Sequence, residues 1–196
     1  MKFVALALAM LFTVIPVSAL ADDFATVEWI RTPTPKGKWK SVDTSPDAVL
    51  ITETGDEIPL EKGMSLDQDA LVRTAMARVS VSVQKNTIEI QEGSEARIQD
   101  RGVLQTLGNL YYKVRGAFKV SYGTVEAVVE GTEFEMHGPN PKWVGVKKGQ
   151  VRVITPSGEV VLKKDQKVEV NADGTLSEVT SWSVCLECGQ RHEAYD

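Results

Sequence analysis

The sequence predicts an all-β fold, with many short antiparallel or mixed strands forming a β-sandwich or a short, solenoid-like roll. Three observations predict it. From Val79 onward, apolar and polar residues alternate with period two. The alternating runs are short and close together, separated by turn-formers such as Gly123, Gly138-Pro139-Asn140-Pro141, Gly149, Ser157-Gly158 and Asp173-Gly174. No segment sustains a helical stripe; the only helical candidates are parts of 67–78 and 103–108.

In order, residues 24–30 ("FATVEWI") read as a first strand, and residues 31–47, with three prolines, as a loop. Strand character resumes at "AVLIT" (48–52), turns at Gly55-Asp56 and runs into "EIPLEKG" (57–63). "VSVSV" (79–83) puts Val79, Val81 and Val83 on one face and two serines on the other. "TIEI" (87–90) and "ARI" (96–98) repeat this around a turn at Gly93-Ser94. Residues 109–116 set Leu110, Tyr112 and Val114 against Lys113 and Arg115, and residues 117–123 align Phe118, Val120 and Tyr122. "VGV" (144–146), "VRVI" (151–154), "EVVL" (159–162) and "KVEV" (167–170) complete the series. A weak echo joins "LEKGM" (60–64), "VKKGQ" (146–150) and "LKKDQ" (162–166), read as a recurring turn with solvated lysines.

The 196 residues divide into three parts. Residues 1–21 carry Lys2, an apolar core from Phe3 to Ile15, Pro16 and an Ala-Leu-Ala end, which reads as a secretory signal peptide cleaved after Ala21. Pro16 and the Ala-x-Ala pattern set it against an uncleaved anchor, and no later stretch is long and apolar enough to span a membrane. Residues 22–176 form the β domain, and residues 177–196 a tail. Losing Lys2, and no acid, takes the formal charge from −5 to −6. An acidic surface of that kind excludes non-specific nucleic-acid binding. The expected location is periplasmic or secreted.

From Phe24 to about Gly174 the sequence resembles the FecR domain family, a periplasmic module of bacteria. The residues carrying the resemblance are the early strand "ATVEWI", the Leu60-x-x-Gly63-x-x-Leu66 turn and Val72-x-Thr74, then "ARVSVSV", "NTIEIQEGSEARI" and "LGNLYYKV". The most specific match is "FKVSYGTVEAVVEGTEFEM" joined to "VGVKKGQVRV", with Gly131, Thr132, Phe134, Gly149 and Val151 at the signature positions. Family members that regulate iron uptake carry a cytoplasmic sigma-factor-binding segment and a membrane helix before this domain. With a signal peptide in that place, the resemblance implies the stand-alone form: an exported, non-catalytic module that binds or senses an envelope protein or a polysaccharide such as peptidoglycan.

The acids Glu130, Glu133 and Glu135 in "VVEGTEFEM" raise the question of catalysis. Alternation places Glu133 and Glu135 on a face opposite Phe134 and Met136, hence toward solvent, while Gly131 marks a bulge or close backbone approach. Thr132 can bond backbone left unpaired by the bend. His137 and His192 are the only histidines, and no Ser-His-Asp set or phosphate loop can be assembled by spacing, so the expectation is a protein that is not an enzyme and holds no cofactor. The tail carries Cys185-x-x-Cys188, expected as a disulfide in an oxidising compartment. A zinc site of Cys185, Cys188 and His192 is the weaker alternative, and with it a redox- or metal-responsive role. Trp39 and Trp143, each in a proline-rich loop, are the candidate binding aromatics, set against the plain reading that both rings cap the β core.

Overall fold

The computed structural model describes residues 24–139, 142–184 and 191–192. Residues 1–21, Cys185, Cys188 and the side chain of His192 lie outside what is described, and with them the signal peptide, the disulfide and the zinc alternative. Along the chain run β1 (Ala25–Pro33), β2 (Trp39–Val42), β3 (Thr44–Ile51), β4 (Glu57–Glu61), β5 (Ser65–Leu66), β6 (Leu71–Thr74) and β7 (Arg78–Val83). Then come β8 (Asn86–Ile90), β9 (Glu95–Gln99), β10 (Gly102–Leu107), β11 (Asn109–Lys113), β12 (Ala117–Tyr122), β13 (Val125–Glu130) and β14 (Glu133–His137). The last are β15 (Lys142–Lys148), β16 (Gln150–Thr155), β17 (Gly158–Lys163), β18 (Gln166–Val170), β19 (Thr180–Ser181), β20 (Ser183–Val184) and β21 (Arg191–His192). No helix occurs among the described residues.

The strands form two large sheets over one core, not closed into a barrel. Sheet one runs β19-β18-β15-β14-β11-β8-β7-β1-β2, with β5 also on β1; sheet two runs β17-β16-β13-β12-β10-β9-β6-β3-β4. The path is that of a roll. The hairpin β12–β13 lies in sheet two, β14–β15 in sheet one and β16–β17 in sheet two, so the chain advances along both sheets in step. Alternating hairpins make neighbours antiparallel. Between β10 and β12, however, the chain sends only β11 across, so β12 re-enters sheet two parallel to β10.

The alternation predicted from Val79 onward is realised: Val79, Val81, Val83, Ile88, Ile90, Leu110, Tyr112, Phe134 and Met136 all face the core. Tyr112 stacks on Phe134 with ring centroids 4.8 Å apart. Its hydroxyl donates 3.1 Å to Gln105 Oε1, whose amide in turn donates to the carbonyls of Gly108 and Met136. Burying Phe134 alone is worth about 2–3 kcal/mol.

Three expectations are corrected. The segment 31–47 is not a loop: it holds β2 and the start of β3, because Pro33 ends β1, and Pro46 falls beside a register shift where no ladder bond is lost. Within 67–78 and 103–108 the chain forms β6 and most of β10. The sheet also continues past residue 176, where β19 pairs with β18.

Crossings between sheets are built from a common device. At one end, Thr132 is fully buried between β13 and β14; its hydroxyl donates 2.9 Å to Gln150 O at the next crossing, and its carbonyl accepts from Val114 N at the previous one. At the other end, Thr74 Oγ1 donates to the carbonyls of Gln91 and Ser94, and Ser94 Oγ donates 3.1 Å to Asn109 O. The hydroxyls thus tie successive crossings together, satisfying backbone that no strand partner reaches. The echoed turns belong to the same scheme: Gly63, Gly149 and Asp165 each sit at a switch between sheets with φ of 83°, 82° and 62°.

Candidate binding face

The face of sheet one turned away from the core is less solvated than alternation implies. Strand register aligns Trp29, Ser80, Glu89, Tyr111, Glu135, Gly145 and Lys167 in one row across the sheet. Ser80 and Gly145 are buried, and Trp29, Glu89, Tyr111, Glu135 and Lys167 are half-buried. Glu133 and Glu135, expected toward open solvent, are half-buried on this face, where Tyr111 lies across from Glu135 and bonds Glu133.

Electrostatics follow from that cover. Burial pushes the Glu89 carboxyl up, against the downward pull of Arg31, Lys147, Arg78 and Lys113. The Tyr111 phenol is pushed far above its ordinary value by burial, by the hydrogen bond to Glu133 and by the charges of Glu133, Glu89 and Glu135. It stays a neutral donor, 2.8 Å from Glu133 Oε2, with Lys147 Nζ above its ring at 5.5 Å. The phenol proton is thus engaged by the Glu133 carboxylate. Among the described residues, no group of three or more His, Cys, Asp or Glu side chains converges as metal ligands would.

Both candidate tryptophans lie on strands, not in loops. Trp39 begins β2 at the edge of the sheet and is half-buried, with the Arg78 guanidinium 3.9 Å over its ring; Arg78 is held by Glu92 at 2.6 Å. Beside it, Arg31 stands 4.3 Å over Trp29. These stacked cations add about 0.5–1 kcal/mol each. Trp143 differs: only 8% exposed, it stacks on His137 at 4.6 Å and meets Trp182 at 5.7 Å. Trp182 covers Gly145, where a Cβ would come within 2.8 Å of the indole. Trp143 is thus occupied by the chain's own tail, and Trp39 is the indole that retains open surface.

Gly131, Thr132, Phe134 and Gly149 occupy structural positions, in the crossings and the core. The contributors missed from sequence are Arg31, Arg78, Glu89 and Tyr111. The signal for them was available in the polar positions of each alternating strand, but which rows align depends on pairing register, which sequence does not display. A separate groove of about 600 Å³ beside Leu50, Thr52, Glu53, Asp67, Asp69 and Arg97 is open, and Arg97 is spent on the Asp69 carbonyl at 2.7 Å.

No protein-family model matches the chain, and no curated protein matches it. Among solved structures, two crystal structures of a protein described as a candidate anti-sigma factor from Parabacteroides distasonis ATCC 8503 are similar to it. One has a TM-score of 0.48 at 18% identity, covering 53% of this chain and 55% of that one. The other has a TM-score of 0.45 at 19% identity, covering 49% of this chain and 51% of that one. The chain spans about half the length of the solved structures it matches.

Proposed function

We propose that this protein is an exported, non-catalytic module of the bacterial cell envelope, a stand-alone relative of the FecR domain. It binds an envelope protein or a polymer such as peptidoglycan through the outer face of sheet one. The observation that carries this reading is the Trp39 edge: an indole with open surface, a guanidinium stacked on it, a second Arg–Trp pair beside it and half-buried carboxylates behind. Flat aromatic area flanked by fixed charges of both signs suits a sugar ring or a partner side chain, since stacking supplies affinity and the charges supply register. The non-catalytic part is supported by the role of the signature residues. Thr132 and Gly149 hold a crossing between sheets, Phe134 fills the core, and Glu133 is engaged by Tyr111.

A photo-reactive residue placed in living cells at Ser41, exposed on the same face of β2 as Trp39, tests the reading, with the exposed turn residue Lys62 as control. The expected result is a discrete adduct from Ser41, to a protein or to sacculi, that disappears with Trp29→Ala/Trp39→Ala. Equal labelling from both positions, or none from Ser41, overturns it.

A further inference from the structure

The two sheets end in β2 and β19, and in β4 and β17. An end strand leaves a row of N–H and C=O groups open, and stable monomers blunt such rows with proline, like charges or brevity. β4 is blunted: Pro59 lies at its centre, and a second copy laid antiparallel about Pro59 would set Glu57 against Glu61. β19 has only two residues, and β2 is a short strand beside Pro33. β17 has none of these features. It reads Gly-Glu-Val-Val-Leu-Lys, without proline, and its side chains alternate between the core and the outer face of sheet two.

The two-residue turn Pro156-Ser157 closes the β16–β17 hairpin on the pair Thr155–Gly158. In such a hairpin the closing pair is hydrogen-bonded, and bonding then alternates. Gly158, Val160 and Leu162 therefore bond to β16, and Glu159, Val161 and Lys163 present their backbone to the open edge. One bond corroborates this: Lys163 N–H is met not by β16 but by Gln166 Oε1, at 2.7 Å. Gln166 caps one end of the edge and leaves Glu159 and Val161 open.

We propose that β17 pairs antiparallel with β17 of a second copy of this chain, about a two-fold axis at Val161, making sheet two continuous across a dimer. The sequence is self-complementary in that register. Glu159 faces Lys163 of the other copy on both sides of the axis, and Val161 faces Val161. Val161 is 49% exposed and Val128, two strands in on the same face, is 39% exposed. Between them and Arg152 lies a shallow hollow of about 270 Å³ that a neighbouring copy would flank. Gln166 must release Lys163 N–H for the full ladder to form.

Sedimentation equilibrium on protein expressed from the full chain tests this, over roughly 1–100 µM. Wild type is expected to double in mass with concentration. Glu159→Lys and Lys163→Glu each replace two attractive cross-strand pairs with repulsive ones and weaken the dimer by about tenfold or more. Mixing the two variants restores dimer, since Lys at 159 then meets Glu at 163 and the other two positions match as well. The double variant Glu159→Lys/Lys163→Glu dimerises alone for the same reason. Thermal midpoints near wild type confirm that the exposed substitutions leave the fold intact. A wild type that stays monomeric overturns the proposal, whether the edge is bare or covered by the chain's own tail. Single variants that dimerise undiminished, or a mixture that fails to recover, overturn it equally.

Discussion

Thr132 and Gly149 hold each other in place across two crossings between the sheets. The threonine hydroxyl reaches the Gln150 carbonyl at 2.9 Å, and a Cβ on Gly149 would sit 3.0 Å from that hydroxyl. Gly149 also has a φ of 82°, which a side chain resists. Two requirements thus meet at one residue: a left-handed backbone and room for a neighbour's hydrogen bond.

Alanine scanning of the crossings should therefore give an ordered result. Gly63→Ala meets no atom within 4 Å and costs only the left-handed backbone, about 1 kcal/mol. Gly149→Ala adds the crowding of Thr132 and costs about 1–3 kcal/mol. Gly108→Ala places a Cβ 2.2 Å from Ser94 Oγ and 2.6 Å from backbone, and costs more than about 3 kcal/mol. Denaturant unfolding of the three variants checks the order.

Trp182 should couple to Gly145. Removing the indole exposes Trp143, so Trp182→Ala is expected to shift tryptophan emission to the red and cost about 1–3 kcal/mol. Gly145→Ala is costly in wild type, where the new methyl meets Trp182 at 2.8 Å and Trp143 at 3.0 Å, and costs less once Trp182 is alanine and only Trp143 crowds it. A double-mutant cycle reads this as a coupling of about 1 kcal/mol or more. Additive effects would mean that the tail does not seat on Trp143.

Glu89 should make stability depend on pH. Its folded pKa lies above the ordinary 4.5, so the folded state holds the proton more tightly than the unfolded chain. Stability therefore falls as pH rises from the unfolded value through the folded one, and the penalty persists at neutral pH. Glu89→Gln is expected to stabilise at pH 7 by a few tenths to about 1 kcal/mol and to flatten the profile in that window. Unfolding midpoints from pH 4 to pH 8 provide the check.

Much of this architecture was legible because period-two alternation survives wherever one face is buried, as in β7, β11 and β16. It failed where the inward face carries a polar residue. Thr74 in β6 and Gln105 in β10 are buried and hydrogen-bonded, so their strands do not alternate by hydropathy. Proline hid β2 and the start of β3, since an edge or a register shift tolerates what a central strand does not. The candidate face was harder. Trp39 and Trp143 look alike in sequence, yet Arg78 stacks on one and the distant Trp182 buries the other. Tyr111 gains its acidic flanks only through the pairing of β8, β11 and β14.

We propose that the segment around Gly131-Thr132-Glu133-Phe134 is a structural joint held by the Thr132 hydroxyl and not by the charges of its carboxylates. The most direct measurement sets the unfolding free energy of Thr132→Val beside that of Glu133→Gln/Glu135→Gln. Thr132→Val leaves the Gln150 carbonyl without its donor in a part-buried crossing and is expected to lose about 1–2 kcal/mol. The double variant keeps acceptors for Tyr111 and is expected to change stability by less than about 1 kcal/mol. A Thr132→Val variant as stable as wild type, or a Glu133→Gln/Glu135→Gln variant destabilised as much as Thr132→Val, would contradict the account.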